Sequence, residues 1–177
     1  CHPELSTSPA ADPWTLIHSL NVMESWLLDF AVQMSNRVVL TKCNMDYVNG
    51  SSWGSHENYR IRASARQCCE HVIPHLVTRI LFSGAGGFRA NREIRRVTFC
   101  LSPRTEVLCD TQKSPQTPWI GLKPLEPYGS AARLHIAQGE NLNSVWAILL
   151  RTGTTALLLA LAQQNPLLFT KVPRVLE

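Results

Sequence analysis

Apolar residues recur at helical spacing in three stretches of the chain. In the first, Asp12-Pro13 supplies an N-cap acceptor and a proline at the first helical position. The second stretch, 65–82, contains Pro74, which should bend the helix or mark a restart, and the glycine-rich turn 83–87 ends it. The third begins at the Asn143-Ser144 cap. The first helix carries one apolar stripe: Leu16, Leu20, Met23, Leu27, Phe30 or Ala31, and Met34.

The apolar run 145–162 of the third helix is about as long as a minimal membrane span. Arg151 and the small or polar residues 152–155 lie in its middle, where a bilayer makes a charge expensive. We therefore predict a buried helix and no membrane partner.

Shorter stretches of β-forming residues predict strands at 37–41, 56–62, 96–102, 119–122 and 132–138, with loops over 43–55 and 110–118. Helices and strands do not alternate in a strict βαβ order. This pattern favours an α+β fold in which helices pack on a largely antiparallel sheet. Because no long linker divides the chain, we expect a single domain over residues 1–177.

Composition narrows the class of protein. A chain of 177 residues with 45% hydrophobic and 17% charged residues can bury a sizeable core, which excludes disorder, collagen and coiled coil. The net charge of +4 has no dense basic run, so no nucleic-acid partner is indicated. Six cysteines without a CxxC pair predict reduced thiols, and we expect no signal peptide. We expect a cytoplasmic protein.

Polar side chains of chemical interest occur in four clusters. Divalent cations prefer carboxylates with an occasional imidazole, and phosphates prefer arginine, so a site for Mg²⁺ and ATP would need this mixture. His56 and Glu57 adjoin in a predicted strand, where they would point to opposite faces. No Walker A loop, GxSxG elbow or HExxH helix is present. The clusters are Cys1-His2-Pro3-Glu4, Ser55-His56-Glu57-Asn58-Tyr59, Ser102-Pro103-Arg104 and Arg133-Leu134-His135.

These clusters resemble, in order, the motifs of the Pup ligase and Pup deamidase (depupylase) family, which is similar to glutamine synthetase and other carboxylate-amine ligases. The first cluster resembles the HPE motif, and residues 53–59 resemble the HENY signature. Residues 71–79 resemble a helix of the form HLIPFLVTR, and 83–86 the glycine turn after it. Residues 99–104 resemble F-x-x-S-Q-R, with Pro103 in place of glutamine. Residues 133–141 resemble RLHV…GD-x-N, and 153–157 the start of a GTTAL helix.

The resemblance implies chemistry that depends on ATP and Mg²⁺ at a carboxyl or amide group of a small, acidic, Pup-like or ubiquitin-like protein modifier. A ligase of this family phosphorylates a terminal glutamate of the modifier and couples it to a lysine. A deamidase hydrolyses the terminal glutamine or the isopeptide bond. By position, the resemblance implies Glu4 as a metal ligand, His56 and Glu57 in the nucleotide-metal site with Asn58 in support, Arg104 and Arg133 on phosphates, and His135 on metal or phosphate.

The sequence also departs from the family pattern. The segment that supplies the first metal-binding glutamates and the catalytic aspartate before HPE is missing, so we expect a chain that is incomplete relative to the family, completed by an N-terminal fragment or partner chain. Cys1, beside His2, suggests a different chemistry: a thiol nucleophile exposed by autoproteolysis. We therefore expect a hydrolase of the deamidase or isopeptidase type with Cys1 and His2 as catalytic residues. The alternatives are the ATP-dependent ligase and a non-catalytic binding relative.

Overall fold

The computed structural model describes residues 4–34, 38–62, 68–91, 95–105 and 126–165. Helices and strands follow one another along these ranges without a repeating βαβ unit. In chain order they are α1 (Pro13–Met34), β1 (Glu57–Arg62), α2 (Cys68–Thr78), α3 (Ile80–Ser83), β2 (Gly87–Asn91), β3 (Arg96–Cys100), β4 (Glu126–Tyr128), β5 (Ala131–Ile136) and α4 (Val145–Gln164).

The strands form two antiparallel sheets. The larger has the order β1-β5-β4, with β5 in the centre, and the smaller is the β2–β3 hairpin. In the larger sheet Asn58 lies opposite His135 and Arg60 opposite Arg133. The predicted α+β class with a largely antiparallel sheet is confirmed.

One face of the larger sheet holds the core. Side chains alternate along a strand, so Ile61 of β1 and Leu134 and Ile136 of β5 point inward, where α2 and α4 cover them. Val72 and Leu76 of α2 are fully buried against this face. The opposite face, which we call the outer face, carries Asn58, Arg60, Arg133 and His135, all at least partly exposed.

The predicted starts of the first and third helices are confirmed, and the start predicted at residue 65 lies outside the described residues. The Asp12 carboxylate accepts hydrogen bonds from the backbone N–H groups of Trp14 and Thr15 at 2.9 and 3.0 Å, and the Ser144 hydroxyl accepts from that of Ala147 at 3.3 Å. The helix with Pro74 continues past the proline to Thr78, and the chain restarts as α3 at Ile80. The break therefore falls after the proline, at Arg79, and not at Pro74 itself.

The burial predicted for α4 holds on one face only. By length and composition α4 is the one helix of the described residues that could cross a membrane, and 28% of its most apolar window is buried. The buried residues include Arg151 and Thr155, whereas Trp146, Leu157 and other apolar residues are exposed. The arginine that made a membrane span unfavourable is thus the residue that α4 turns toward the sheet.

Several strand predictions need correction. Residues 38–41 form no regular structure, and Val39 is exposed, because no described strand pairs with them and β propensity alone does not make a strand. We did not predict β2 or β4, since β2 starts in the glycine turn and β4 has three residues including Pro127. The strand predicted at 119–122 lies outside the described residues.

Candidate functional site

Two histidines of the candidate site meet at the edge of the outer face. His56 immediately precedes β1 and His135 lies in β5; His56 Nδ1 and His135 Nε2 are 3.3 Å apart, and the ring centroids are 5.1 Å apart. The antiparallel register places Asn58 directly opposite His135. The structure therefore brings together His56 and Asn58, which the family resemblance assigned to the nucleotide-metal site, and His135, which it assigned to metal or phosphate.

The same face carries guanidinium groups. Arg133 and Arg60 lie opposite each other in β5 and β1, and Arg133 forms an exposed ion pair with Glu126 of β4. A guanidinium is suited to bind phosphate or carboxylate oxygens. The predicted phosphate contact of Arg133 stays a prediction, and the residue lies on the face that also carries the histidines.

Glu57 lies on the opposite side of the sheet from Asn58. Its carboxylate is buried and accepts two hydrogen bonds from Arg79, Nη2 to Oε1 at 2.9 Å and Nη1 to Oε2 at 3.0 Å. Arg151 Nε lies 3.3 Å from Oε1, and the Tyr59 hydroxyl donates to Oε2 at 2.6 Å. We therefore correct the prediction of Glu57 as a metal ligand. Strand alternation turns its side chain away from the histidines, and its carboxylate oxygens already pair with Arg79 and Arg151.

These contacts control ionisation in the cluster. Burial alone would raise the pKa of Glu57, but the charges of Arg151 and Arg79 outweigh burial and hold the pKa below its ordinary value. Burial, with the negative charge of Glu57, raises the pKa of Tyr59 well above its usual value, so its hydroxyl keeps the proton it donates. Burial lowers the pKa of Arg151, against the opposing charge of Glu57, but a guanidinium stays protonated in proteins.

Arg104 is also buried. Its guanidinium donates to the carbonyl of Gly139, and its Nε has no hydrogen-bond partner. Burial lowers its pKa, opposed by Glu140. Glu140 accepts from Ser102 Oγ at 2.8 Å and from the Arg104 backbone at 3.2 Å. We therefore correct the phosphate role predicted for Arg104: the side chain fastens the loop at 102–105 to the end of β5.

Two glycines allow the segments around His56 to approach closely. A Cβ on Gly54 would overlap the Arg104 guanidinium, and one on Gly139 would overlap the carbonyl of Ser55. The Ser55 N–H donates to the Gly139 carbonyl at 2.9 Å. The glycines thus let the chain before β1 join the chain after β5, next to the histidine pair.

The described residues do not assemble a complete metal site. No group of three His, Cys, Asp or Glu side chains comes together among them, so Glu4 does not complete a set with His56 and His135. Two imidazoles without a carboxylate suit Mg²⁺ poorly, because Mg²⁺ prefers oxygen ligands. The predicted catalytic residues Cys1 and His2 lie outside the described residues.

The sequence interpretation missed the residues that hold Glu57. Arg79 was noted only as the last residue of the segment 71–79 that resembles a family helix, and Arg151 was used only as an argument against a membrane span. A charge inside an apolar helix needs a buried partner of opposite sign, which was an available signal for a carboxylate near α4. Gln138, whose Oε1 accepts from Arg79 Nε at 3.2 Å, gave no such signal.

Comparison with known proteins identifies the family. A family model described as Pup-ligase protein matches residues 1–173. The chain belongs to the Pup ligase family. It is 31% identical to the Pup--protein ligase of Nakamurella multipartita, covering 93% of this chain and 39% of that relative. It is 32% identical to the Pup--protein ligase of Mycobacterium tuberculosis, covering 92% and 36%. The chain thus spans about two fifths of the length of these relatives.

Solved structures agree with the family. The structure of the Pup ligase PafA in complex with ADP matches with a TM-score of 0.80 and 25% identity, covering 93% of this chain and 39% of that chain. The complex between Pup and PafA matches with a TM-score of 0.76 and 26% identity, covering 90% and 35%. The shared fold confirms the Pup ligase-like core, which is incomplete relative to the family.

These relatives overturn the hydrolase interpretation. They are named ligases, and the neighbour that holds ADP is a ligase. The prediction of a deamidase or isopeptidase was therefore wrong, and the alternative of an ATP-dependent ligase has the support. The error came from giving a terminal Cys-His pair more weight than the ordered family motifs, which do not require a thiol.

Proposed function

We propose that the protein is an ATP-dependent ligase that joins a carboxylate of a small protein modifier of the Pup type to a lysine of a target protein. The main support for this proposal is the match of 93% of this chain to the ADP-bound Pup ligase at a TM-score of 0.80. The Pup-bound neighbour supports the choice of modifier. The family and the ADP complex support ATP with Mg²⁺ as the phosphoryl donor.

The reaction has two steps. An oxygen of the modifier carboxylate attacks the γ-phosphorus of ATP, and ADP leaves. The lysine amine then attacks the acyl carbon, loses a proton, and displaces phosphate as the isopeptide bond forms. Positive charge near the transferred group stabilises both steps. In this chain Arg133 and Arg60 of the outer face can supply that charge, with Asn58 and the two histidines as polar contacts beside them.

Mg²⁺ would bring charge neutralisation to the phosphates, but it needs oxygen ligands besides the histidine pair. Glu4 remains a proposed ligand on the family resemblance alone, since in this structure it forms no group with the two histidines. A partner chain or segment that completes the site, and the cytoplasmic location, likewise stay predictions.

The test is conjugation. The full-length protein is incubated with a target protein, Mg²⁺, ATP and a modifier ending in glutamate, and the products are weighed by mass spectrometry. We expect a conjugate whose mass is the sum of target and modifier less one water, and none without ATP. No conjugate, or release of modifier from a preformed conjugate in its place, would overturn the proposal.

A pair of arginine variants locates the reaction on the outer face. Arg133→Ala should lower the conjugation rate on the order of 100-fold, the effect of removing one donor that stabilises developing charge. Arg96→Ala, on an exposed position of β3 in the other sheet, serves as the control and should leave the rate unchanged. Equal rates for the two variants would remove Arg133 from the proposed site.

A further inference from the structure

The residues on both sides of His56 are held by the same buried side chain. Arg151 Nη2 donates to Ser55 Oγ at 3.2 Å, and its Nε lies 3.3 Å from Glu57 Oε1. Arg151 is 2% exposed, so it acts from inside the core and does not reach the outer face. The Arg151 guanidinium therefore contacts both sequence neighbours of His56.

Further hydrogen bonds of Arg151 and Ser55 attach these neighbours to the segment after β5. Its Nη1 donates to the backbone carbonyl of Glu140 at 2.5 Å, and Ser55 N–H donates to the carbonyl of Gly139. These two carbonyls belong to the segment that follows β5, the strand of His135. Arg151 thus connects the residues around His56, at the start of β1, to the segment that follows β5.

We propose that Arg151 is a positioning residue: by holding Ser55 and Glu57, it sets the placement of His56 against His135 on the outer face. The inference deepens the proposed function, since it gives the histidine pair its geometry. A planar guanidinium suits this task because its donors are fixed relative to one another, whereas the single ammonium of lysine cannot reach both neighbours in the same way.

The chemistry of the cluster supports positioning over stability. A buried ion pair is often no more stable than apolar residues of similar volume, because desolvating the charges offsets their attraction. Arg151 Nε, although close to Glu57, makes no hydrogen bond of good geometry. What a buried arginine offers over an apolar side chain is therefore a set of directional contacts. In this protein two of those contacts go to Ser55 and Glu57, the neighbours of His56.

Two single-hydroxyl variants test the proposal. Ser55→Ala removes the contact on one side of His56. Thr155→Val removes a hydroxyl from the same buried cluster. That hydroxyl donates to the backbone carbonyl of Arg151 within α4 and bonds Arg79 and His75, but it contacts neither the Arg151 guanidinium nor Ser55 nor His56. The readout is the nuclear Overhauser contact between the two imidazole rings in histidine-labelled protein, with His56→Gln assigning the signals among six histidines. This readout does not depend on ligase activity.

We expect the ring-to-ring contact in the native protein and in Thr155→Val, and its loss in Ser55→Ala. Conjugation by Ser55→Ala should fall through kcat, by about 10- to 100-fold if the histidine is displaced by about 1 Å. An unchanged contact in Ser55→Ala overturns the proposal, and so does its loss in both variants, which would show general loosening. Lack of conjugation by the native protein would instead refute the proposed function, and the ring contact would still decide this inference.

Discussion

Two buried guanidiniums, Arg79 and Arg151, share the Glu57 carboxylate, and this sharing predicts which substitution does most damage. Glu57 and Arg79 have side chains only 5% and 1% exposed. Glu57→Gln removes the carboxylate that Arg79 and Arg151 share, and the remaining buried carboxylate that acts on Arg151, Glu140, has a smaller effect than Glu57. Arg79→Met leaves a one-to-one pair of Glu57 and Arg151. We expect both to lower the free energy of unfolding by about 3–5 kcal/mol, with Glu57→Gln at the upper end.

Urea unfolding followed by tryptophan fluorescence measures both effects. A loss of that size corresponds to roughly 6–20 °C in Tm for a chain of this length. Glu126→Gln is the control, because its ion pair with Arg133 is exposed and should contribute about 0–1 kcal/mol. A loss below about 1 kcal/mol for Glu57→Gln, or a larger loss for Arg79→Met, would refute the electrostatic reasoning.

The same carboxylate predicts a dependence on acid. The folded-state pKa of Glu57 is below its ordinary 4.5, so its contribution is complete above that value and is lost as the pH falls through the folded-state pKa. Protonating Glu57 removes the same countercharge as Glu57→Gln. The difference in unfolding free energy between native protein and Glu57→Gln should therefore shrink toward acid pH. A constant difference would contradict the assigned pKa direction.

For other substitutions the structure predicts whether stability rises or falls. Gly153→Ala should stabilise the protein by about 0.5–1 kcal/mol in urea unfolding, because the added methyl group of this helical position would meet only an ordinary van der Waals contact with Pro13. Gly139→Ala should instead destabilise the protein, because its Cβ would overlap the Ser55 carbonyl, and a change of the same sign for both variants would contradict this reasoning. Ser144→Ala should lower Tm through loss of about 1 kcal/mol of N-cap bonding, and an unchanged Tm would exclude the cap. Burial and the charge of Arg79 lower the pKa of His75 from 6.5, so unfolding free energy should fall as the pH drops below 6.5, and His75→Gln should flatten that slope; equal slopes would contradict this direction.

Local signals in the sequence were enough for α4 and β5. Ser144 before a long apolar run predicts a capped helix, and the alternation of residues 132–136 predicts a strand with one buried face. Both elements depend on contacts near in sequence or on burial of a clear apolar pattern. Short pieces such as β4 carry no such pattern, because their pairing with β5 decides their conformation.

The inward direction of Glu57 could not be predicted from β1 alone. Its first two residues, Glu57 and Asn58, are both polar, so the apolar alternation that normally marks the buried side rests on Tyr59 and Ile61 alone. The partners of Glu57 come from distant positions, Arg79 being 22 residues away and Arg151 in the last helix. Alternation correctly separated Glu57 from its neighbours, and only the tertiary structure shows which face is buried.

The central claim is ligation through phosphorylation of the modifier carboxylate, and the fate of a carboxylate oxygen tests it most directly. A modifier whose terminal glutamate carries ¹⁸O in its side-chain carboxylate is conjugated by the full-length protein with ATP, and the released phosphate is analysed by mass spectrometry. Phosphorylation of the carboxylate predicts one ¹⁸O atom in the phosphate released for each conjugate formed. Conjugation accompanied by phosphate without ¹⁸O would contradict it.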